Sequence, residues 1–261
     1  MLTKIKKYFD HIRIIYSKLL FAISGKEKNN SYKINNLKNK YAGKRCFIVC
    51  NGPSLKAEDL DKIHLNNDFS FASNKIDKIF NKTQWRPTFY TITDEGYQYT
   101  LLNTMNSIPA KIKFFRKTSY STTRHVKGNV IWINVDGNRN LLKHPNFSEN
   151  STNIVYGIAT VTYVMIQLAV HMGFRELYII GCDNSYGLEI KEDGSIVDNG
   201  TNSYFSGSDS KDNRCVGATW EMNIAYSFAR KYADTHGIII KNATRGGHLE
   251  AFERIDFDTL F

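Results

Sequence analysis

The chain has 261 residues, 42% of them hydrophobic and 13% aromatic, with only four prolines, which suits one sizeable α/β domain and argues against a linker-rich array. Its formal charge of +10 sits at one end, since residues 1–44 hold eleven Lys/Arg against two acids and residues 45–261 hold 24 against 23. A nearly neutral globular part argues against a nucleic-acid binder, which carries its basic residues on the folded surface.

Leu2, Ile5, Phe9, Ile12, Tyr16, Leu19 and Ile23 recur at spacings of three and four, which predicts a helix over residues 2–23. Lys4, Lys6, Lys7, Arg13 and Lys18 surround that stripe. A basic amphipathic helix suits an anionic membrane surface; the alternative packs it on the domain or on a second copy of the chain, as a homo-oligomer. Residues 24–42, rich in Lys, Asn and Ser, read as a polar linker with room for a short helix. Residues 1–43 are therefore expected to form an arm, and residues 44–261 a nucleotide-binding α/β catalytic domain. Lys18 breaks the first apolar run, no small-residue cleavage site follows it, and no run reaches the roughly 18–20 apolar residues of a spanning helix.

The globular part opens with a short apolar strand, residues 45–50, which runs into the turn Asn51-Gly52-Pro53-Ser54. A helix from Leu55 to Ile63, a strand over 69–74, a short helix over 76–80 and a strand over 88–94 ending in Asp94 follow. A helix around 97–107 and strands over 111–115 and 130–135 come next. Val161, Val164, Met165, Leu168, Ala169 and Met172 mark the strongest helix, 157–172, and the following strand ends in Gly181-Cys182-Asp183. Residues 184–214 are polar and glycine-punctuated, too long for a passive connection. A helix over 220–235 and a strand over 237–241 precede the tail. This alternation implies a mostly parallel Rossmann-like sheet with helices on both faces. The four cysteines, Cys46, Cys50, Cys182 and Cys215, lack zinc spacing and read as free thiols of a reducing compartment.

Ligands of open α/β sheets bind beyond the carboxyl ends of the strands. Here those ends offer Asn51, Gly52, Pro53 and Ser54, then Asn74, Asp94, and Gly181, Cys182 and Asp183. Gly52 permits close backbone approach, and Ser54 is placed to cap the next helix or to bond a phosphate beside the helix amides. The turn matches neither standard glycine-rich phosphate motif. Arg245, followed by Gly246 and Gly247, is a candidate anion binder, and His248 in the same loop a candidate general base. Two Asp-x-Asp pairs, Asp59/Asp61 and Asp256/Asp258, are poor metal ligands, the first because carboxylates two apart on a helix diverge. No metal or other cofactor is expected.

Taken together, FIVCNGPSL, FSFASN, the 157–183 helix–strand element and the 238–257 tail resemble the 6-hydroxymethylpterin diphosphokinase MptE-like family. They also resemble the related bacterial lipooligosaccharide sialyltransferases that use a CMP-activated donor. The resemblance covers residues 44–261 and implies a GT-A-like variant of the fold. It implies that Asn51, Gly52 and Ser54 approach the donor phosphate or ribose, that Asn74 meets the nucleotide, and that Thr160 and Thr162 supply donor-contacting hydroxyls. Gly181 and Asp183 would border the cytidine, and Tyr186 or Tyr204 would hydrogen-bond the departing phosphate. The sequence departs from those transferases where their catalytic histidine precedes the late helix: here Val216-Gly217-Ala218-Thr219 stands instead. His248 is the first substitute, with Glu221 and Asp94 behind it. The expected function is transfer of sialic acid or a related sugar from a CMP donor to a glycan or glycolipid acceptor, in bacterial surface-polysaccharide synthesis. The expected location is cytoplasmic, peripheral on the inner face of the cell membrane. The alternatives are a diphosphokinase moving pyrophosphate from ATP to a pterin, which would need Mg2+, and a catalytically inactive membrane-associated scaffold.

Overall fold

The computed structural model describes residues 16, 19–20, 23, 26–118, 123–205 and 215–261. The helix expected over residues 2–23 therefore lies outside the described residues, apart from isolated positions. Strands run along the chain as β1 (Arg45–Val49), β2 (Phe69–Ser73), β3 (Phe89–Ile92), β4 (Ile112–Arg116), β5 (Val130–Ile133), β6 (Val135–Asp136) and β7 (Val155–Tyr156). They continue as β8 (Glu176–Ile180), β9 (Leu188–Ile190), β10 (Ile196–Asp198), β11 (Val216–Gly217) and β12 (Ile239–Asn242). The helices are α1 (Lys26–Asn35), α2 (Ala57–Leu65), α3 (Glu95–Thr100), α4 (Leu102–Ser107), α5 (Val161–His171) and α6 (Thr219–Thr235).

Seven strands form one sheet in the order β12-β8-β1-β2-β3-β4-β5, and every neighbouring pair is parallel. The expected mostly parallel, doubly covered sheet is present. Its strands are apolar on both sides because both faces are buried. Cys46, Ile48, Phe71, Phe89 and Ile179 face one core, which α5 and α6 close. Phe47, Val49, Tyr90, Phe115 and Ile180 face the other, beneath Leu60 and Ile63 of α2 and Trp85. Helix α5 lies between sheet and α6, and all its side chains from Thr162 to His171 are buried; that is why it reads as apolar all round.

Three segments refine the expectation. Residues 26–42 hold the short helix allowed for there, α1, and are packed on the domain: Ile34, Leu37 and Tyr41 are core residues, and Tyr41 stacks on Phe174 at 5.1 Å. The backbone amides of Asn39 and Tyr41 bond the carbonyls of His171 and Met172 at the end of α5. Lys and Asn dominate the composition there, but a few apolar residues do the packing. The long polar region after residue 184 holds a second sheet, in the order β10-β9-β11. Lastly α5 begins at Val161, four residues later than the hydrophobic pattern suggests, for a reason found at the site. Among the described residues no helix is long and apolar enough to cross a membrane.

Candidate functional site

The strand order reverses once. From β1 the chain steps outward through β2 to β5, then returns to lay β8 and β12 on the other side of β1. The carboxyl ends of β1 and β8 therefore flank the topological switch point, where open α/β sheets form their ligand crevice. A cavity of about 610 Å3 opens there, within the range of small-molecule sites. It runs past the ends of β2 and β3 to Arg116 at the end of β4, three strand spacings or roughly 14 Å from β1.

The two flanking loops are built on each other. Cys50 N donates to Ile180 O at 2.9 Å and Gly52 N to Gly181 O at 2.8 Å, which carries the β1–β8 pairing beyond the strands. Asp183 then folds back, and its Oδ2 accepts from Ser54 Oγ at 2.8 Å and from Ser54 N at 3.2 Å. That carboxylate fills the space beside Gly52, where an added Cβ would lie 2.0 Å from Oδ2 and 2.7 Å from Gly181 O. Gly52 is thus required by its partner strand, not by its own turn. Burial pushes the Asp183 carboxyl above the usual range, and the two Ser54 bonds pull it partly back.

Asn51, Asn74, Asp94, Thr160, Thr162, Gly181, Cys182 and Asp183 all line the cavity, as do Tyr186 and Tyr204. Asn51 Nδ2 donates to Ser73 O at 3.1 Å, which fixes the amide orientation and leaves Oδ1 as an acceptor with no partner. Asn184, also on the cavity wall, repeats this: Nδ2 donates to Asn223 Oδ1 at 2.8 Å and its own Oδ1 has no partner. Both oxygens are themselves buried, so they polarise this end of the cavity from behind its surface. Asp94 caps α3, its Oδ1 accepting from Tyr97 N at 2.7 Å.

The N-terminus of α5 also enters the cavity. Thr160 Oγ1 caps it by accepting from Thr162 N at 3.2 Å, and Thr160 N turns back onto Ile158 O. That three-residue turn puts Ala159 at φ +52°, left-handed backbone that a non-glycine residue holds only against a cost. The turn delays the start of the helix and aims its first amides at the cavity, so the helix terminus suited to an anion belongs to α5. Behind it, Cys50 Sγ meets Thr162 Oγ1 at 3.3 Å, and Tyr226 OH meets Cys182 Sγ at 3.5 Å and Thr160 Oγ1 at 3.4 Å. Hydrogen bonding with Cys182, then burial, pushes the Cys50 thiol up, and burial raises the phenols of Tyr186 and Tyr226. Both phenols are hydrogen-bond donors at neutral pH.

Other expected site residues lie elsewhere. Ser54 neither caps α2, whose N-cap is Lys56, nor lines the cavity; Pro53 beside it is exposed. Arg245 is held by two carboxylates: Nη2 contacts Asp59 Oδ1 at 2.9 Å and Asp258 Oδ1 at 2.8 Å. Its guanidinium is thereby committed to tying the C-terminal tail to α2, outside the cavity lining. His248 is exposed; its backbone amide donates to Asp183 O at 2.7 Å, but its ring does not line the cavity. Glu221 pairs with Arg139, again outside the lining. Of the four Asp-x-Asp carboxylates, Asp59 and Asp258 bind Arg245, Asp61 accepts from Thr83, and Asp256 caps the last turn.

Arg116, Asn184 and Tyr226 line the cavity without having been singled out. Arg116 is missed by one residue, because the apolar pattern of β4 stops at Phe115 while the strand runs on. Tyr226 sits inside an amphipathic helix, where nothing local separates it from core.

A family model described as 6-hydroxymethylpterin diphosphokinase MptE-like matches residues 23–188. No curated protein sequence matches the chain. Among solved structures, the fold is similar to that of MAf glycosyltransferase from Magnetospirillum magneticum AMB-1, at 16% identity and a TM-score of 0.56. That match covers 90% of this chain and 39% of the other, so the chain spans well under half of that protein. The sialyltransferase CstII from Campylobacter jejuni, solved in complex with a substrate analogue, cytidine-5'-monophosphate, aligns at 15% identity and a TM-score of 0.42, over 82% of this chain and 85% of that one. At these identities the likeness is one of fold.

Proposed function

The chain belongs to the 6-hydroxymethylpterin diphosphokinase MptE-like family, and from that premise and its site we propose that it is a glycosyltransferase using a CMP-activated, sialic-acid-like donor. The observation that carries the reading is the set of amide, hydroxyl and carboxylate side chains, Asn51, Asn74, Thr160, Asp183 and Asn184, that lines one cavity at the switch point. Ribose hydroxyls and the cytosine amino group are donors suited to such oxygen-rich walls. The phosphate then lies toward the amides of α5 and the phenols of Tyr186 and Tyr204, which stabilise charge on the leaving group. Arg116 is the one Lys, Arg or His side chain among the described lining residues, and so little positive charge suits a CMP-linked donor better than a triphosphate.

In the transfer, an acceptor hydroxyl forms a bond to the anomeric carbon as the bond to the phosphate oxygen breaks. CMP leaves with that electron pair. The hydroxyl proton passes to the carboxylate of Asp94, which lines the cavity and caps α3 through Oδ1. Geometry favours Asp94 over His248 and Glu221, which do not line the cavity.

Family membership favours a second reading, pyrophosphate transfer from ATP to a hydroxymethylpterin. Magnesium for that reaction would have to use Asp94 and Asp183, each already bonded to a backbone amide, and among the described residues no three ligating side chains cluster. No step is therefore derived through a metal.

Calorimetry of the full chain with CMP, CDP, UDP and ATP, together with hydrolysis and transfer assays on CMP-sialic acid, separates the readings. CMP binding and release of CMP from the donor are expected. Preferential ATP binding with pterin-dependent AMP release would replace the first reading by the second. No saturable binding to any of the four would leave a scaffold.

A further inference from the structure

The far end of the cavity is as distinctive as the nucleoside end. Arg116 ends β4 and is half-buried, with 30% of its side chain exposed. Its ion-pair partner is Glu95, at 3.7 Å and itself 62% exposed. Other arginines here are held more tightly: Arg45 to Asp68 at 2.7 Å, Arg245 to Asp59 at 2.9 Å, and Arg254 to Glu250 at 2.6 Å. The strand end that carries Arg116 is firm, because buried Gln98 donates to Arg116 O at 3.1 Å and to Ile92 O at 2.8 Å. Gly137 lies against one flank of the head group, where an added Cβ would come within 3.8 Å of Nη1, and the guanidinium lines the cavity beside it. The α5 N-terminus enters the same cavity through Thr160, Val161 and Thr162 and adds its partial positive charge.

We propose that this end of the cavity is an anion subsite in which Arg116 holds a carboxylate carried by the transferred sugar. The proposal rests on the reading above and names the residue that reads the donor's carboxylate. In a sialic-acid-like donor that carboxylate is on the anomeric carbon, next to the phosphate, so with the phosphate toward α5 a side chain on the neighbouring cavity wall is placed to pair it. Among the described residues the guanidinium's ion-pair partner is an exposed glutamate, which a neutral sugar would not improve on. A carboxylate offers two coplanar oxygens, which a guanidinium pairs in bidentate fashion.

The test measures calorimetric binding of CMP and of CMP-sialic acid to the full chain, for the wild type, R116Q and R116K, with thermal melts confirming that both variants fold. In R116Q, CMP-sialic acid is expected to weaken by at least about tenfold while CMP stays within about twofold, with partial recovery in R116K. Equal weakening of both ligands would assign Arg116 to the phosphate and overturn the subsite. Unchanged donor affinity in R116Q would overturn it too. If the wild type binds neither CMP ligand, the glycosyltransferase reading itself has failed and the subsite falls with it. That outcome is distinguishable from a failure confined to the variants.

Discussion

The most informative atoms of the site are ones that local sequence does not orient. An asparagine offers a donor and an acceptor, and which one meets a ligand depends on what the rest of the fold consumes. Asn51 Nδ2 donates to Ser73 O and Asn184 Nδ2 to Asn223 Oδ1, so in both residues the fold engages the donor side and leaves the oxygen without a partner. Asp183 is constrained differently, by burial that raises its pKa and by Ser54, which opposes the rise. A raised folded-state value makes its contribution to stability complete below the unfolded carboxyl value near ~3.9 and lost as pH rises through the folded one. At neutral pH the ionised group is therefore a net cost to folding. Asp183→Asn removes the charge and keeps an oxygen for Ser54. We expect a melting temperature unchanged or higher at pH 7, the difference shrinking as pH falls toward 4, and CMP affinity weaker by about tenfold. A melt series against pH with calorimetry checks both, and a drop in melting temperature at pH 7 would contradict the sign.

Among the elements, α5 shows how a helix is placed for function against its own pattern. Its apolar sequence would extend to Gly157, but the Ala159 turn and the Thr160 cap start it at Val161 and turn its amides into the cavity. Thr160 caps the helix and also touches Tyr226 OH. Thr160→Ala is expected to cost about 1 kcal/mol in urea denaturation, the usual value of an N-cap, and Thr160→Ser to restore it. A loss in the serine variant as large as in alanine would show that the methyl group, not the cap, carries the effect. The β9–β11 sheet is tied to the same region, since Glu189 accepts from Thr219 at the start of α6 and pairs with Lys191. Those bonds hold its carboxyl down to about 2, so the tie persists through the physiological range and into mild acid.

For the molecule as a whole, the C-terminal tail is a structural clamp. Arg245 joins Asp59 of α2 to Asp258 of the tail, Arg45 donates to Leu260 O at 2.8 Å, and Phe261 stacks on Phe47 at 5.8 Å. Asp59 is 8% exposed, so Arg245→Leu leaves a buried carboxylate without its partner. We expect a loss of about 2 kcal/mol, below that of a fully buried pair because Arg245 keeps 30% exposure. CMP affinity below the melting transition should be unchanged. A selective loss of nucleotide affinity with full stability would return Arg245 to the anion-binding role expected from its glycine-rich loop.

The sequence by itself determined the parallel sheet, because strands buried on both faces must be apolar throughout and alternate with helices. It also determined the strand ends that meet at the switch point, since Asn51, Asn74, Asp94 and Gly181–Asp183 follow directly from where those apolar runs stop. Tertiary structure decided how each polar group is used. Ser54 and Arg245 look like ligand binders in isolation, yet half-buried Asp183 and buried Asp59 claim their hydrogens; Arg116 looks like the end of an ordinary strand, yet among the described residues it is held only by Glu95 at 3.7 Å. A local motif specifies which donors and acceptors exist. Which of them stay free for a ligand depends on long-range pairing, because a buried polar group takes whatever partner the packed chain brings within reach.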